Sequence, residues 1–373
     1  MDFAFNEEQQ DLQGLAAQIF NAEISHERLK EVEGGEDNVD RELWAKLADA
    51  GILGIAVPEA QGGGGYGFLE AAVVLEQVGR TVAPVPYLST VVLGVLPVGR
   101  FGTDAQRDAL LPGVVSGQLL LSAALIEDGG DPRVPATTAR RDGDAWVLNG
   151  EKICVPDGML ADRILVPASV DGGVVIAIVD PDAKGVSRLR QRTTSGHDEA
   201  LLRLEGVRVG EADLLGGTGQ GAEVLDWTIE RATAALCAVA IGVCEEAVRM
   251  TAEYTKTREQ FDRPIATFQA VGQRAADAYI DTEAIRLTAW QAIWRLSEEL
   301  PSSAEVAVAK FWAAEGGQRV VHAAQHLHGG MGVDRDYPLH RYFLLAKQLE
   351  LTLGGTTRQL LALGRILAAE PVA

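Results

Sequence analysis

The sequence predicts an α+β protein: a helical N-terminal domain, a middle antiparallel β barrel or sandwich, and a C-terminal four-helix bundle. Three observations predict it. Apolar residues recur at helical spacing at both ends of the chain. Short β-branched runs broken by Gly, Asp and Pro occupy the middle. No strand–helix alternation runs through the whole, which sets aside a doubly wound nucleotide fold. The expected boundaries are 1–118, 119–218 and 219–373.

In the first region, segments 42–52 (ELWAKLADAGI) and 68–80 (FLEAAVVLEQVGR) place apolar residues at i, i+3, i+4 and i+7. A glycine-rich stretch, EAQGGGGYG at 59–67, lies between them. In the middle region, AWVLNG (145–150), RILVPAS (163–169), GVVIAIVD (173–180) and LLRLEGVRV (201–209) read as strands separated by turn signals. The last region returns to long helical patterns at 223–256, 266–298, 303–328 and 338–350, whose short connections point to an up-down bundle.

With 373 residues and 47% hydrophobic content, the chain is long enough for several packed layers. A formal charge of −20 argues against nucleic acid and against an anionic membrane surface as partners. The longest apolar stretches, around 84–99 and 232–244, read as too short or too interrupted to span a bilayer. No cationic segment leads into an apolar one at the start, so a cytoplasmic protein is expected. Cys154, Cys237 and Cys244 form no C-x-x-C pair and are expected to be reduced, buried thiols.

Gly62, Gly64 and Gly67 match G-x-G-x-x-G, but the preceding run is broken by Pro58 and no acidic residue follows at the required distance. A flexible loop is the expected reading there, and GGTGQG (216–221) reads as a linker. No G-x-S-x-G marks a nucleophile, and His326 and His328 lack nearby acidic or Cys co-ligands, so no metal is expected.

The informative segments lie in the last third. At 254–279, Arg258 at a helix end is followed by Phe261 and a Pro-containing turn. That offers a cation and a stacking face suited to a pyrophosphate and a planar ring, although an exposed helix end with a surface-paired Arg258 fits equally. At 326–347, Gly329 and Gly330 let a backbone approach a ligand without an intervening Cβ. At 349–365, a Gly-Gly turn leads through Thr356 into a helix whose first N–H groups can receive a phosphate or carbonyl oxygen.

Together these segments resemble the acyl-CoA dehydrogenase family over nearly the whole chain. MDFAFNEEQQDL, LWAKLADAGILGIAVPEAQGG, the NGEK of 149–152, the R-E-Q-F-x-x-P-I run from Arg258 and the H-G-G-M-G run from His328 fall in the family's order and spacing. The resemblance implies that family's fold, FAD as cofactor, an acyl-CoA thioester as substrate, and an electron-transfer flavoprotein as electron acceptor. It also implies a glutamate that takes the α-proton as the β-hydrogen leaves as hydride, usually in a Tyr-Glu-Gly-Thr turn. Here that turn reads Gly354-Gly355-Thr356, so the base is absent. A minority of relatives carry it ten residues before the position of Gly242, which here is Ala232. Glu230 is two residues away, about 200° round a helix, and Glu350 is expected to end the preceding helix.

The family's middle domain meets the flavin ring through a Trp-x-Thr after NGxK and through a hydroxyl-rich loop. This chain has Ile153-Cys154-Val155-Pro156 and Glu127-Asp128-Gly129-Gly130 instead. What matches is the set that, in the family, reaches a neighbouring subunit's FAD: Arg258, Phe261, Gln269, Gly329 and Gly330, with His326 at the place of a glutamine. Thr356 completes the set of cofactor contacts that the resemblance implies. The pattern is similar to the base-lacking subunit of actinobacterial heterotetrameric dehydrogenases acting on steroid side-chain CoA thioesters. It implies a homologous partner that carries the base. A self-sufficient homo-oligomer using Glu230, and a non-catalytic scaffold of the same fold, remain as alternatives.

Overall fold

A computed structural model describes residues 4–369. The N-terminal helices are α1 (Glu7–Glu23), α2 (His26–Glu33), α3 (Arg41–Asp49), α4 (Phe68–Thr81), α5 (Leu96–Phe101) and α6 (Asp104–Val115). The strands that follow are β1 (Leu121–Ala123), β2 (Thr138–Asp142), β3 (Ala145–Pro156), β4 (Arg163–Val170), β5 (Gly173–Val179), β6 (Val186–Arg192), β7 (Asp198–Gly210) and β8 (Leu214–Leu215). After them come α7 (Gly221–Thr257), a hairpin of β9 (Glu259–Gln260) and β10 (Arg263–Pro264), then α8 (Gln269–Ser297), α9 (Ser303–His328), α10 (Leu339–Leu351) and α11 (Thr356–Ala369). The C-terminal region thus adds a fifth helix to the four that the periodicity picks out.

The described residues divide into two compact units. The first takes those up to 32, 72–83, and those from 233 onwards; the second takes 33–71 and 84–232.

The first unit is helical. Its axis is α7, which is long and apolar enough to cross a membrane by length and composition, unlike the shorter apolar runs read from the sequence. Of its most apolar window, 89% is buried inside the protein, as in the central helix of a soluble core. Where α4 crosses α7, backbone meets backbone. A Cβ on Gly79 would stand 2.0 Å from the Val239 carbonyl oxygen, and one on Gly242 would stand 2.0 Å from that of Glu76. Beside this crossing, Arg80 bridges Glu76 and Glu245, and Arg286 from α8 reaches Glu245 as well. Lys310, fully buried on α9, donates to the carbonyl oxygens of Leu349 and Glu350 at the end of α10.

The second unit holds the sheet, in the order β6-β7-β3-β2-β4-β5-β8, with β1 beside β4. Its core includes Leu148, Val155, Ile164, Val166, Val175, Val179 and Leu202. Most pairs are antiparallel, as expected, but β1–β4 and β2–β4 are parallel. The β2–β3 hairpin between β1 and β4 supplies the crossover that parallel pairing needs. The register of β3 on β7 shifts at Leu148/Asn149 and again between Lys152 and Val155, so β3 bends twice.

Two local features depart from the sequence reading. The stretch 62–67 is a packed turn, not a flexible loop: Gly64, Gly65 and Tyr66 donate backbone bonds to Gly54, Val57 and Ile55, and a Cβ on Gly63 would lie 2.1 Å from the Val57 oxygen. Gly63 is required by this close approach, while Gly62 and Gly65 take φ of +85° and +70°. Residues Leu88–Val95 form a π-helical turn in which Leu96 N–H bonds to the Val91 oxygen. Pro97 supplies no N–H to the next carbonyl, which favours this wider register.

Candidate functional site

In the helical unit, the ends of α7 and α9 are pinned by rings. Tyr254 stacks on His328 with centroids 4.3 Å apart, and Tyr337 approaches the same imidazole at 5.3 Å. His328 is buried, with Nδ1 2.8 Å from the Ala324 oxygen and Nε2 3.2 Å from the Tyr337 hydroxyl. Burial lowers its pKa, against the Ala324 bond. This fixed, stacked imidazole accounts for one of the two histidines of HLHGG, while His326 is exposed on the last turn of α9.

Arg258 follows α7 directly and is exposed; its backbone accepts from Ile265 N–H at 2.8 Å and so closes the β9–β10 hairpin. The two loop residues, Phe261 and Asp262, have φ of +55° and +60°. Two left-handed residues make the type I′ turn that fits strand twist, but this loop usually takes Asn-Gly. An aromatic residue held there costs on the order of 1 kcal/mol and exposes its ring, 86% of Phe261 being accessible. Phe261 meets Phe268 edge-on at 6.2 Å, and the Arg263 guanidinium sits 4.2 Å over Phe268. Gln269 opens α8 and is exposed, and the N-cap Phe268 gives no side-chain cap to the first N–H groups.

The Arg319–Asp281 pair, 2.6 and 2.7 Å, sets the register of the antiparallel α8–α9 pair. It puts the start of α8 level with the end of α9. Arg258, Phe261, Gln269, His326, Gly329 and Gly330 therefore gather at one end of the unit. Gly329 caps α9 at φ +60°, which asks for glycine. Gly330 has no such need, and a Cβ at either would meet nothing within 4 Å. An open, side-chain-free surface beside an exposed arginine and a presented aromatic ring fits the adenosine and pyrophosphate of a dinucleotide such as FAD.

Thr356 stands apart. Its hydroxyl is 3.3 Å from Glu315 Oε2, eleven residues before His326 on α9, or about 16 Å along the helix. The turn before it is held from both sides. Lys310 takes the last carbonyls of α10, and buried Gln359 donates to Leu353 and Gly354 oxygens at 3.3 and 3.1 Å. Gly354 has φ +96°, and a Cβ there would lie 2.3 Å from Arg358 Cδ. Glu350 sits one residue before the end of α10, paired with Lys347 at 2.6 Å. No carboxylate faces out of the Gly354–Gly355 turn itself. Lys310 and Gln359 escaped the sequence reading, although a lysine on the apolar stripe of α9, between Val306 and Ala313, was a usable signal.

In the sheet unit, Glu230 lies half-buried on α7 and Ala232 is buried. Glu127, in the loop that lacks hydroxyls, accepts from buried Lys152 at 2.6 Å and from the Ala136 and Thr137 backbone. Burial works against its ionisation, yet the Lys152 and Thr137 bonds hold its carboxyl below the usual range. Cys154, expected to be buried, is only half-buried, at φ +51° in the second bulge. Its N–H is taken by Gln191 Oε1 at 2.9 Å, and burial, with Glu199 beside it, pushes the thiol up to about 11.

Next to it, Asp157 (φ +50°) accepts from Ser89 Oγ at 2.5 Å, which ties the π-helical turn to the end of β3. Burial raises the Asp157 carboxyl to about 6; the Ser89 bond opposes this, and the Glu199 and Asp198 charges add to it. Raised in the folded state, this group contributes stability that is full below about pH 4 and lost as pH rises through about 6. Asp157→Asn keeps an acceptor for Ser89 without the buried charge. Urea unfolding should show the variant more stable than the parent at pH 8, by about 1–2 kcal/mol after discounting for a half-buried residue, with the gap closing at pH 4.5.

Comparison with known proteins adds the family. Residues 6–118 match the acyl-CoA dehydrogenase N-terminal domain, 126–206 the middle domain and 219–368 the C-terminal domain. Acyl-CoA dehydrogenase FadE27 of Mycobacterium tuberculosis is 44% identical, the match covering all of both chains. FadE28 of the same organism is 35% identical over 98% of each. Among solved structures, the ChsE4-ChsE5 complex of Mycobacterium tuberculosis contains a chain with a TM-score of 0.95 and 45% identity, covering all of both. A Tcur3481-Tcur3483 steroid ACAD contains one with a TM-score of 0.91 and 48% identity, covering 97% of this chain and 98% of that one. The chain belongs to the acyl-CoA dehydrogenase family.

Proposed function

We propose that this chain is the base-lacking subunit of a heteromeric, FAD-dependent acyl-CoA dehydrogenase that desaturates a bulky, steroid side-chain acyl-CoA between Cα and Cβ. The observation that carries the reading is the Gly354–Gly355 turn. It is built with care, clamped by Lys310 and Gln359, yet it bears no carboxylate, and its φ of +96° strains any side chain placed there. A homologous partner supplies the glutamate and the flavin-ring pocket. Arg258, Phe261, Gln269, His326, Gly329 and Gly330 of this chain hold the adenosine and pyrophosphate end of the partner's FAD. When bound, FAD supplies the hydride acceptor, and electrons leave to an electron-transfer flavoprotein. Expressed without its partner, the chain is inactive.

The heteromeric relatives support the partner, and the steroid ACAD among them supports the substrate class. The sheet unit agrees with the missing ring pocket, since the Cys154 N–H is spent on Gln191 and the neighbouring side chains are Glu199 and Asp157.

Glu230→Gln separates this reading from a self-sufficient enzyme. In the assembled complex, kcat should stay within a few-fold of the parent. Loss of a true general base costs about 10²–10⁴-fold. A collapse in kcat with flavin content unchanged would make Glu230 the base.

A further inference from the structure

Arg258 follows α7, whereas Gly329 and Gly330 follow α9, so a ligand that touches both is held only as well as the two helix ends are spaced. Among the described residues, no hydrogen bond or ion pair joins the side chains of Arg258, Phe261 or Gln269 to α9. What ties the ends is a cluster of three rings, none of them among the expected cofactor contacts. Tyr254 sits four residues before Arg258, and the Arg258 N–H donates to the Tyr254 oxygen at 2.8 Å, so the arginine hangs from the turn that Tyr254 anchors. His328 stands directly before Gly329. The two rings stack at 4.3 Å with their planes 24° apart, and Tyr337 closes the cluster, 5.3 Å from the imidazole and 6.4 Å from Tyr254.

The imidazole has one setting. A carbonyl oxygen can only accept, so the 2.8 Å contact with Ala324 places the proton on Nδ1. Burial holds the ring below its usual pKa and therefore uncharged at physiological pH, which leaves Nε2 to accept from the Tyr337 hydroxyl at 3.2 Å. Tyr337 is held in turn: its N–H donates to the Asp334 oxygen at 3.2 Å, and neighbouring Asp336 pairs with Lys30 at 2.6 Å. Gly332 folds the 329–333 turn back on α9, where a Cβ would stand 2.6 Å from the Gln325 oxygen. The Tyr254 hydroxyl has no hydrogen-bond partner among the described residues, so its ring alone makes the link to α9.

We propose that Tyr254, His328 and Tyr337 are positioning residues for the cofactor, which set its affinity without touching it by fixing the span from Arg258 to Gly329–Gly330. The inference rests on the assignment of FAD to this end of the unit. The stack of Tyr254 on His328 carries the coupling, and the chemistry in the partner is untouched once FAD is bound.

Equilibrium titration of the assembled complex with FAD tests this, with kcat at saturating FAD and the flavin-free urea midpoint measured on the same preparations. Tyr254→Leu keeps apolar bulk and removes the ring. Its Kd should rise about three- to tenfold, the worth of a stacked aromatic pair, while kcat stays within about twofold. Tyr254→Phe should keep the parent Kd. His328→Leu, which removes the stack and both bonds, should raise Kd at least as much, and it reads the same quantity where Tyr254→Leu fails to assemble. In an Arg258→Ala background, Tyr254→Leu should add less than about twofold, because the ring acts through the span to that arginine. A lowered urea midpoint with a parental Kd makes the rings plain support and overturns the proposal. So does an equal rise in Kd with and without Arg258. If Arg258→Ala weakens FAD while the ring variants bind as the parent does, the positioning role alone falls. If Arg258→Ala also binds as the parent does, the FAD assignment falls and the proposal with it.

Discussion

Gly242→Ala should abolish stable folding of the helical unit or cost it at least about 3 kcal/mol, the upper end for overpacking a closed core. The new methyl would stand 2.0 Å from the Glu76 oxygen and 2.4 Å from the Arg80 nitrogen, both backbone atoms of α4. Side chains can turn aside from a clash, but a helix backbone has to move as a body. Moving α4 off α7 would also part Gly79 from Val239 and pull Arg80 from Glu245. Gly272→Ala on α8 is the matched control, because a Cβ there meets nothing within 4 Å. There, helix propensity favours alanine by about 1 kcal/mol, so equal or greater stability is expected. Urea unfolding followed by circular dichroism reads both variants. Similar midpoints for the two would show that the close crossing is not what fixes α4 on α7.

Arg258→Ala should weaken FAD retention by about one to two decades, the range for one or two hydrogen bonds to a charged group. The residue is exposed at the hairpin base, with only its backbone engaged in fixing the turn, so its loss leaves the fold intact. Arg258→Lys should fall between, since an ammonium cannot make two parallel bonds to a phosphate. Excess FAD should restore much of the activity. A solvated surface arginine would instead change stability by less than about 0.5 kcal/mol with no flavin dependence. Equilibrium titration of the purified complex with FAD decides between them, and an unchanged Kd would remove Arg258 from the cofactor site.

How much of this was legible in the sequence differs by element. Long helices such as α8 and α9 announce themselves, because a stripe repeated over seven turns outweighs any local preference. Strand β6 did not, since VSRLRQR has little apolar alternation and only one of its residues is a large exposed hydrophobic, Leu189. The glycine stretch at 62–67 looked flexible by composition, but its backbone bonds to 54–57 and Gly63 has no room for a Cβ against Val57, neighbours that a linear reading does not bring together. At the site, Arg258, Phe261 and the two glycines were readable as a cluster of types suited to one ligand. The strained turn that presents Phe261 was not, because the signal for a type I′ turn is Asn-Gly and this loop is Phe-Asp. Asp157, in the run Pro156-Asp157-Gly158, carries no sign of a perturbed carboxyl in the sequence itself. Only the fold supplies the burial and the two nearby carboxylates that raise its pKa, and the Ser89 bond that opposes them.

The central claim is that one chain holds a cofactor whose chemistry another chain performs. Its most direct measurement is the ratio of FAD to chains after co-purification with a base-containing homologue. The account predicts about one FAD for every two chains, and a colourless, inactive product when this chain is expressed alone. One FAD per chain in an active homo-oligomer would contradict it.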